Sequence, residues 1–137
     1  MSADTFNPFS LLVAASSGDL DAQRILAHEG ASIAARDGDL FAAIDALCFA
    51  RLAAANGDVA DKGRLLAILA IAGDLCGPGE DMFRDLLGGE CLALMSLMAD
   101  DGVDVAEHQL TFVAECSTPG SVAMAKQYRE LMSGGVN

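Results

Sequence analysis

Basic residues are scarce in this sequence: eight Lys and Arg stand against twenty Asp and Glu in 137 residues, for a formal net charge of −12. Nucleic-acid binding depends on counterion release by clustered Lys and Arg, so this balance argues against DNA or RNA as a ligand, and equally against anionic membrane surfaces. Histidine is scarcer still, with only His28 and His108, too few imidazoles to build a metal cluster. Cys48, Cys76, Cys91 and Cys116 are scattered singly with no C-x-x-C pair, so each reads as a small buried apolar residue and neither a disulfide nor a metal site is expected. Long apolar runs are also lacking. Leu65 to Ala72 and Cys91 to Ala99 fall well short of the ~20 residues that span a bilayer. The opening MSADTFNPFSLLVAASSGD has no Lys or Arg ahead of its short apolar run, so it lacks the charged start of a secretory signal, and the expected location is cytoplasmic.

What is present is apolar bulk in helical spacing. Hydrophobic residues make up 53% of the chain and charged residues 20%, which places it with folded domains and not with disordered segments. The length suits one domain with a real core. Asn7-Pro8 is an N-cap with proline at the first helical position, and Gly18 ends that helix. Asp19 caps a second helix with Leu20, Ile25 and Leu26 as its stripe, expected to stop at about His28 before Gly30. Asp39 caps a third, in which Leu40, Phe41, Ile44, Leu47, Cys48, Leu52 and Ala55 recur at three- and four-residue steps. Gly57-Asp58 restarts the chain into Val59, Leu65, Leu66, Leu69 and Ala72. After Pro78 come Met82, Phe83, Leu86, Leu87, Cys91, Leu94, Met95 and Met98, then Gly102, a helix around Val105 to Val113, and a last helix from Pro119. Gly88-Gly89 is a place where the fifth of these helices could divide.

Three stretches resemble one another: AASSGDLDAQRIL at Ala14 to Leu26, AAANGDVADKGRLL at Ala53 to Leu66, and MADDGVDVAEHQL at Met98 to Leu110. Their glycines are separated by 39 and 45 positions, within the roughly 34 to 47 residues of helix-pair solenoids. The Ala-rich helix, Gly-Asp turn and second Ala/Leu helix resemble tetratricopeptide-class repeats, in particular their Sel-like branch, although the Sel-like Leu-Gly-x-x-Tyr and Gly-x-Gly-Val signatures are absent. The resemblance implies an all-α fold of stacked antiparallel helical hairpins forming a right-handed superhelix, with adaptor or scaffold roles. On this reading the chain is a single helical-repeat domain of seven to eight helices, with hairpins at roughly 8–29, 39–76 and 79–116 and a terminal helix at 119–133.

Residues able to carry chemistry have simpler explanations. His28 is placed near a helix end, where a cation meets the dipole favourably. His108 and Glu107 are adjacent, so they point about 100° apart and cannot act as a pair. Asp100, Asp101, Asp104 and Glu107 lack the alternating ligands and closing Glu of a calcium loop. No serine lies in a nucleophile elbow, and no Gly-Lys-Ser/Thr follows a glycine-rich turn. The expectation is therefore a non-enzymatic module with no catalytic residue, metal or cofactor, binding a protein or peptide. The nine acids against Arg84 alone between Asp74 and Glu107 suit a basic partner, or simply keep an apolar domain soluble. Candidate partner contacts are Asp45, Arg51 and Tyr128. Arg51 is the most distinctive, a charge on the same stripe as Ile44, Cys48 and Leu52. Two alternatives stand beside this reading: a bundle holding a small hydrophobic ligand in its Met- and Leu-rich C-terminal half, and a self-associating structural subunit.

Overall fold

The computed structural model describes residues 8–103 and 118–132, which hold six helices and no strand. In chain order these are α1 (Pro8–Ser16), α2 (Leu20–Asp37), α3 (Leu40–Asn56), α4 (Val59–Leu75), α5 (Asp81–Asp100) and α6 (Pro119–Met132). The all-α expectation holds among these residues. The helix expected around Val105 to Val113, with Asp104, Glu107, His108 and Cys116, lies outside the described residues. The chain forms two compact units, Met1–Ile68 and Leu69–Asn137, with the boundary inside α4.

In the first unit, each helix is joined to the next by a Gly-Asp pair: Gly18-Asp19, Gly38-Asp39 and Gly57-Asp58. Gly18 ends α1 at a positive φ of 105°. The Asp19 and Gly18 amides donate back to the carbonyls of Ala14 and Ala15, the paired bonds of a Schellman cap. Gly102 ends α5 the same way: Val103 donates to Met98 O and Gly102 to Ala99 O, at φ 81°. Two of the three similar stretches thus share a turn geometry, and the third, at Gly57 with φ −104°, does not. Aspartate starts the next helix each time. Asp19 accepts from Ala22 N at 2.9 Å, Asp39 from Phe41 N at 3.0 Å, and Asp58 from Ala60 N at 3.0 Å, which is the N-cap role for which short acidic side chains are favoured.

The expected stop at Gly30 is corrected: α2 continues through it to Asp37. Glycine serves here as a contact surface. A Cβ at position 30 would lie 2.9 Å from Ala46 Cβ and 3.1 Å from Ala42 O, so its absence lets α2 and α3 pack in close contact. The same close packing corrects the expected stripe of α3. Its buried residues are Ala43, Ala46, Leu47, Ala50, Ala53 and Ala54, spaced three and four apart, and of the larger apolar residues only Leu47 belongs to that face. Phe41 is 80% exposed and Leu52 41%, and Cys48 is exposed where a buried thiol was expected. In α2, likewise, Ala22, Gln23, Ala27 and Ala34 are buried while Ile25 is exposed. Gln23 closes the inner side of the first hairpin by donating its amide to Ala15 O at 3.0 Å.

The second unit is built from larger side chains. Leu87, Cys91, Leu94, Met95 and Met98 are buried along α5, as their spacing predicts. Gly88-Gly89 does not divide this helix, which runs unbroken from Asp81 to Asp100. The pairs that meet across α5 and α6 rise together in both helices: Asp85 with Gly120, Gly89 with Met124 and Ala125, Ser96 and Asp100 with Arg129. The two helices are therefore parallel neighbours, an arrangement that a tight turn cannot produce. Thr118 secures the start of α6, accepting from Ser121 N at 3.0 Å and donating to Asp85 Oδ1 at 2.7 Å.

Gly63 provides a contrast with Gly30. It lies within α4, and nothing stands within 4 Å of the position its Cβ would take. Gly63→Ala is therefore expected to raise stability by about 0.5–1 kcal/mol through backbone entropy alone, read as a higher melting temperature with an unchanged circular dichroism spectrum.

Candidate functional site

Among the described residues of the first unit the most heavily bonded side chain is Asp61, in the first turn of α4, which is 1% exposed. Its carboxylate accepts four hydrogen bonds, two per oxygen. Oδ1 takes Arg24 Nε at 2.8 Å and Arg64 Nη1 at 3.0 Å, and Oδ2 takes Arg24 Nη2 at 2.8 Å and the Asp58 amide at 2.9 Å. That fills the acceptor capacity of a carboxylate. The bond to Asp58 N completes a capping box with Asp58 as the cap residue and Asp61 reaching back from the third helical position. The fork from Arg24 is bidentate and joins the N-terminal part of α2 to the first turn of α4. Gly57 makes room: a Cβ there would collide with Asp61 Oδ2 and crowd Ala53 O at 2.7 Å. The Arg24 fork holds the Asp61 carboxyl far below the ordinary aspartate range against the opposing pull of burial, helped by the Asp58 amide and the charges of Arg24 and Arg64. The same bond raises Arg24.

Arg24 and Arg64 also edge an open hollow of about 280 Å³, together with Ile25, His28 and Glu29. His28 is thus in mid-helix, a correction to its expected place at a helix end that follows from α2 running on to Asp37. The guanidiniums here are engaged with Asp61, and Asp21 and Asp58 lie at 3.5 and 4.0 Å from Arg24, so this cluster organises the fold.

A second depression, of about 260 Å³, opens between α5 and α6 and is lined by Leu86, Met124, Gln127, Tyr128 and Leu131. The four α6 residues follow i, i+3, i+4, i+7 spacing and share one face. Tyr128 is half-buried there, while Leu131 is 62% exposed and Met82, one turn before Leu86, is 76% exposed. On another face of α6, Arg129 donates to Ser96 and Asp100, tying the helix to the end of α5 and leaving the Tyr128 face open.

The expected partner contacts are therefore placed as follows. Tyr128 lines a groove. Asp45 and Arg51 are both exposed on α3, six positions and hence about 120° apart around its axis. Arg51 does not sit on the buried stripe, because that stripe is the alanine face and Ile44, Cys48 and Leu52 lie off it. The sequence reading missed Asp61 and Arg24. The available signal was the Asp-x-x-Asp of a capping box at Asp58, together with an arginine six or seven residues after two of the three Gly-Asp turns, Arg24 after Gly18 and Arg64 after Gly57. Among the described residues no three His, Cys, Asp or Glu side chains are grouped to hold a metal ion, and no helix is long and apolar enough to cross a membrane. Comparison with protein-family models, curated proteins and solved structures finds no match.

Proposed function

We propose that the chain is a non-enzymatic interaction module of tetratricopeptide-like helical hairpins that holds a protein or peptide partner against its helix faces. The observation that carries this reading is an inversion of side-chain size. Of the core residues in the first unit nine are alanines, while Phe9, Val13 and Phe41 are 77%, 67% and 80% exposed. On α1, Phe9, Leu12 and Val13 share one face, and that helix buries only Ala15. Large apolar side chains kept outside while small ones fill the core are what a docking surface requires. The parallel placement of α5 with α6, and the Arg24–Asp61 fork between α2 and α4, support hairpins repeated in one sense.

The test is capture of the tagged protein from its own cell lysate with mass-spectrometric identification, beside the folded variants Phe41→Glu, Arg51→Glu and Leu131→Lys. Phe41 and Leu131 are exposed, so those two substitutions should shift stability by no more than about 0.5 kcal/mol. A stoichiometric partner retained by wild type and lost from at least one variant is the expected result. Recovery of the chain alone, as a monomer, or of one protein bound equally by all four chains would refute it.

A further inference from the structure

We infer that the groove between α5 and α6 receives one amphipathic helical segment of a partner protein, with a large apolar anchor residue on one face and Lys or Arg flanking it. This deepens the interaction reading above and rests on it. The floor and rim supply the apolar half: Leu86, Met124, Tyr128 and Leu131 line the depression. The open depression of about 260 Å³ has room for an anchoring side chain or two presented by a helix at i, i+4 spacing.

Charge supplies the other half. The unit that contains the groove, Leu69–Asn137, carries eleven Asp and Glu against Arg84, Lys126 and Arg129. Two of these three cations are held by acids of the same unit, Arg84 by Asp81 at 3.3 Å and Arg129 by Asp100. Arg84 also donates to Cys76 O at 2.7 Å. Asp81 stands beside the exposed Met82 with its side chain 85% exposed. An apolar groove on so negative a body attracts a cationic amphipathic segment and repels an acidic one. A second copy of this chain, itself at −12, is opposed by the same field.

The experiment uses the full chain and three labelled helical peptides of equal length: one of Leu and Lys in amphipathic spacing, one with Glu in place of Lys, and one with Ser in place of Leu. Fluorescence anisotropy at about 0.15 M salt, where surface charges beyond roughly 8 Å are screened, reads the affinities. The Leu/Lys peptide is expected to bind at least tenfold more tightly than either other peptide. Leu131→Lys, and independently Gln127→Lys on the same exposed rim, should weaken it at least tenfold, while Ala35→Lys, at an exposed position of α2, leaves it unchanged. Equal binding of the Leu/Lys and Leu/Glu peptides, or equal binding by wild type and both rim variants, overturns the inference. So does a wild-type dimer that Leu131→Lys converts to monomer. If lysate capture meanwhile depends on Phe41 or Arg51 and not on Leu131, the interaction module stands and the groove assignment alone fails.

Discussion

Asp61→Ala should lower the free energy of unfolding by on the order of 3 kcal/mol, the range expected when one partner of a buried charge pair is removed. The substitution deletes four hydrogen bonds at once. It also leaves the Arg24 and Arg64 guanidiniums close together with no shared counterion, and returns the Asp58 amide to the uncapped state, which by itself costs about 1 kcal/mol. Water reaches Arg24, whose side chain is 32% exposed, and this keeps the loss below the upper end of the range. Asp61→Asn preserves the volume but presents an NH2 to donors, so it should fall between alanine and wild type. Urea unfolding monitored by circular dichroism measures all three.

The effect has a defined pH dependence. The folded-state carboxyl of Asp61 is depressed relative to the unfolded chain, where aspartate titrates near 4. Its contribution is therefore complete above about pH 4 and fades as the pH falls below that value. The stability gap between wild type and Asp61→Ala should be widest at pH 7 and narrow steadily from pH 4 towards pH 2. Arg24 is raised by the same contact, so its contribution would be lost only at a pH above the arginine range and adds no slope at acid or neutral pH. A gap that stays constant down to pH 2 would mean that the carboxylate is not ionised and paired in the folded protein.

Legibility from sequence followed a simple physical division. Signals that act within a few residues were readable: the Asp19 and Asp39 caps, the Gly18 and Gly102 stops, and the spacing of Leu87, Cys91, Leu94 and Met98 on α5. Signals that depend on what a neighbouring helix presents were not. Gly30 resembles a helix stop until Ala46 is found against it, because a glycine that permits close approach and a glycine that ends a helix are the same letter. The stripe of α3 was misread for a related reason. Apolar residues surround that helix on nearly all sides, so weighting by size favoured Phe41 and Leu52, whereas close packing against α2 selects alanine. Asp61 and Arg24 are 37 residues apart and become partners only when the N-terminal part of α2 lies beside the start of α4. The groove at Tyr128 likewise exists because α5 and α6 are parallel, which no local pattern encodes.

Gly89 carries the largest prediction in the second unit. A Cβ there would lie 2.5 Å from Met124 Cβ, 3.0 Å from Ala125 N and 3.1 Å from Met124 C. Two of these three obstacles are backbone atoms, so rotation of a side chain cannot relieve the overlap and α6 must shift bodily. Overpacking of this kind costs about 1–3 kcal/mol, while alanine returns about 1 kcal/mol of helix propensity over glycine. Gly89→Ala should therefore be net destabilising, and Gly89→Leu by at least on the order of 3 kcal/mol. Gly63→Ala, the same exchange in a helix with open space around it, should move in the opposite direction, so the sign of the difference separates close approach from propensity. The readout is unusually local: Tyr128 is the only tyrosine and the chain has no tryptophan, so near-ultraviolet absorption and fluorescence report chiefly on the α5–α6 groove. Gly89→Leu should change that signal below the melting temperature, whereas Gly63→Ala should not. A Gly89→Ala protein that melts at or above wild type, with an unperturbed tyrosine signal, would show that α5 and α6 are farther apart than this packing requires and would remove the groove with them.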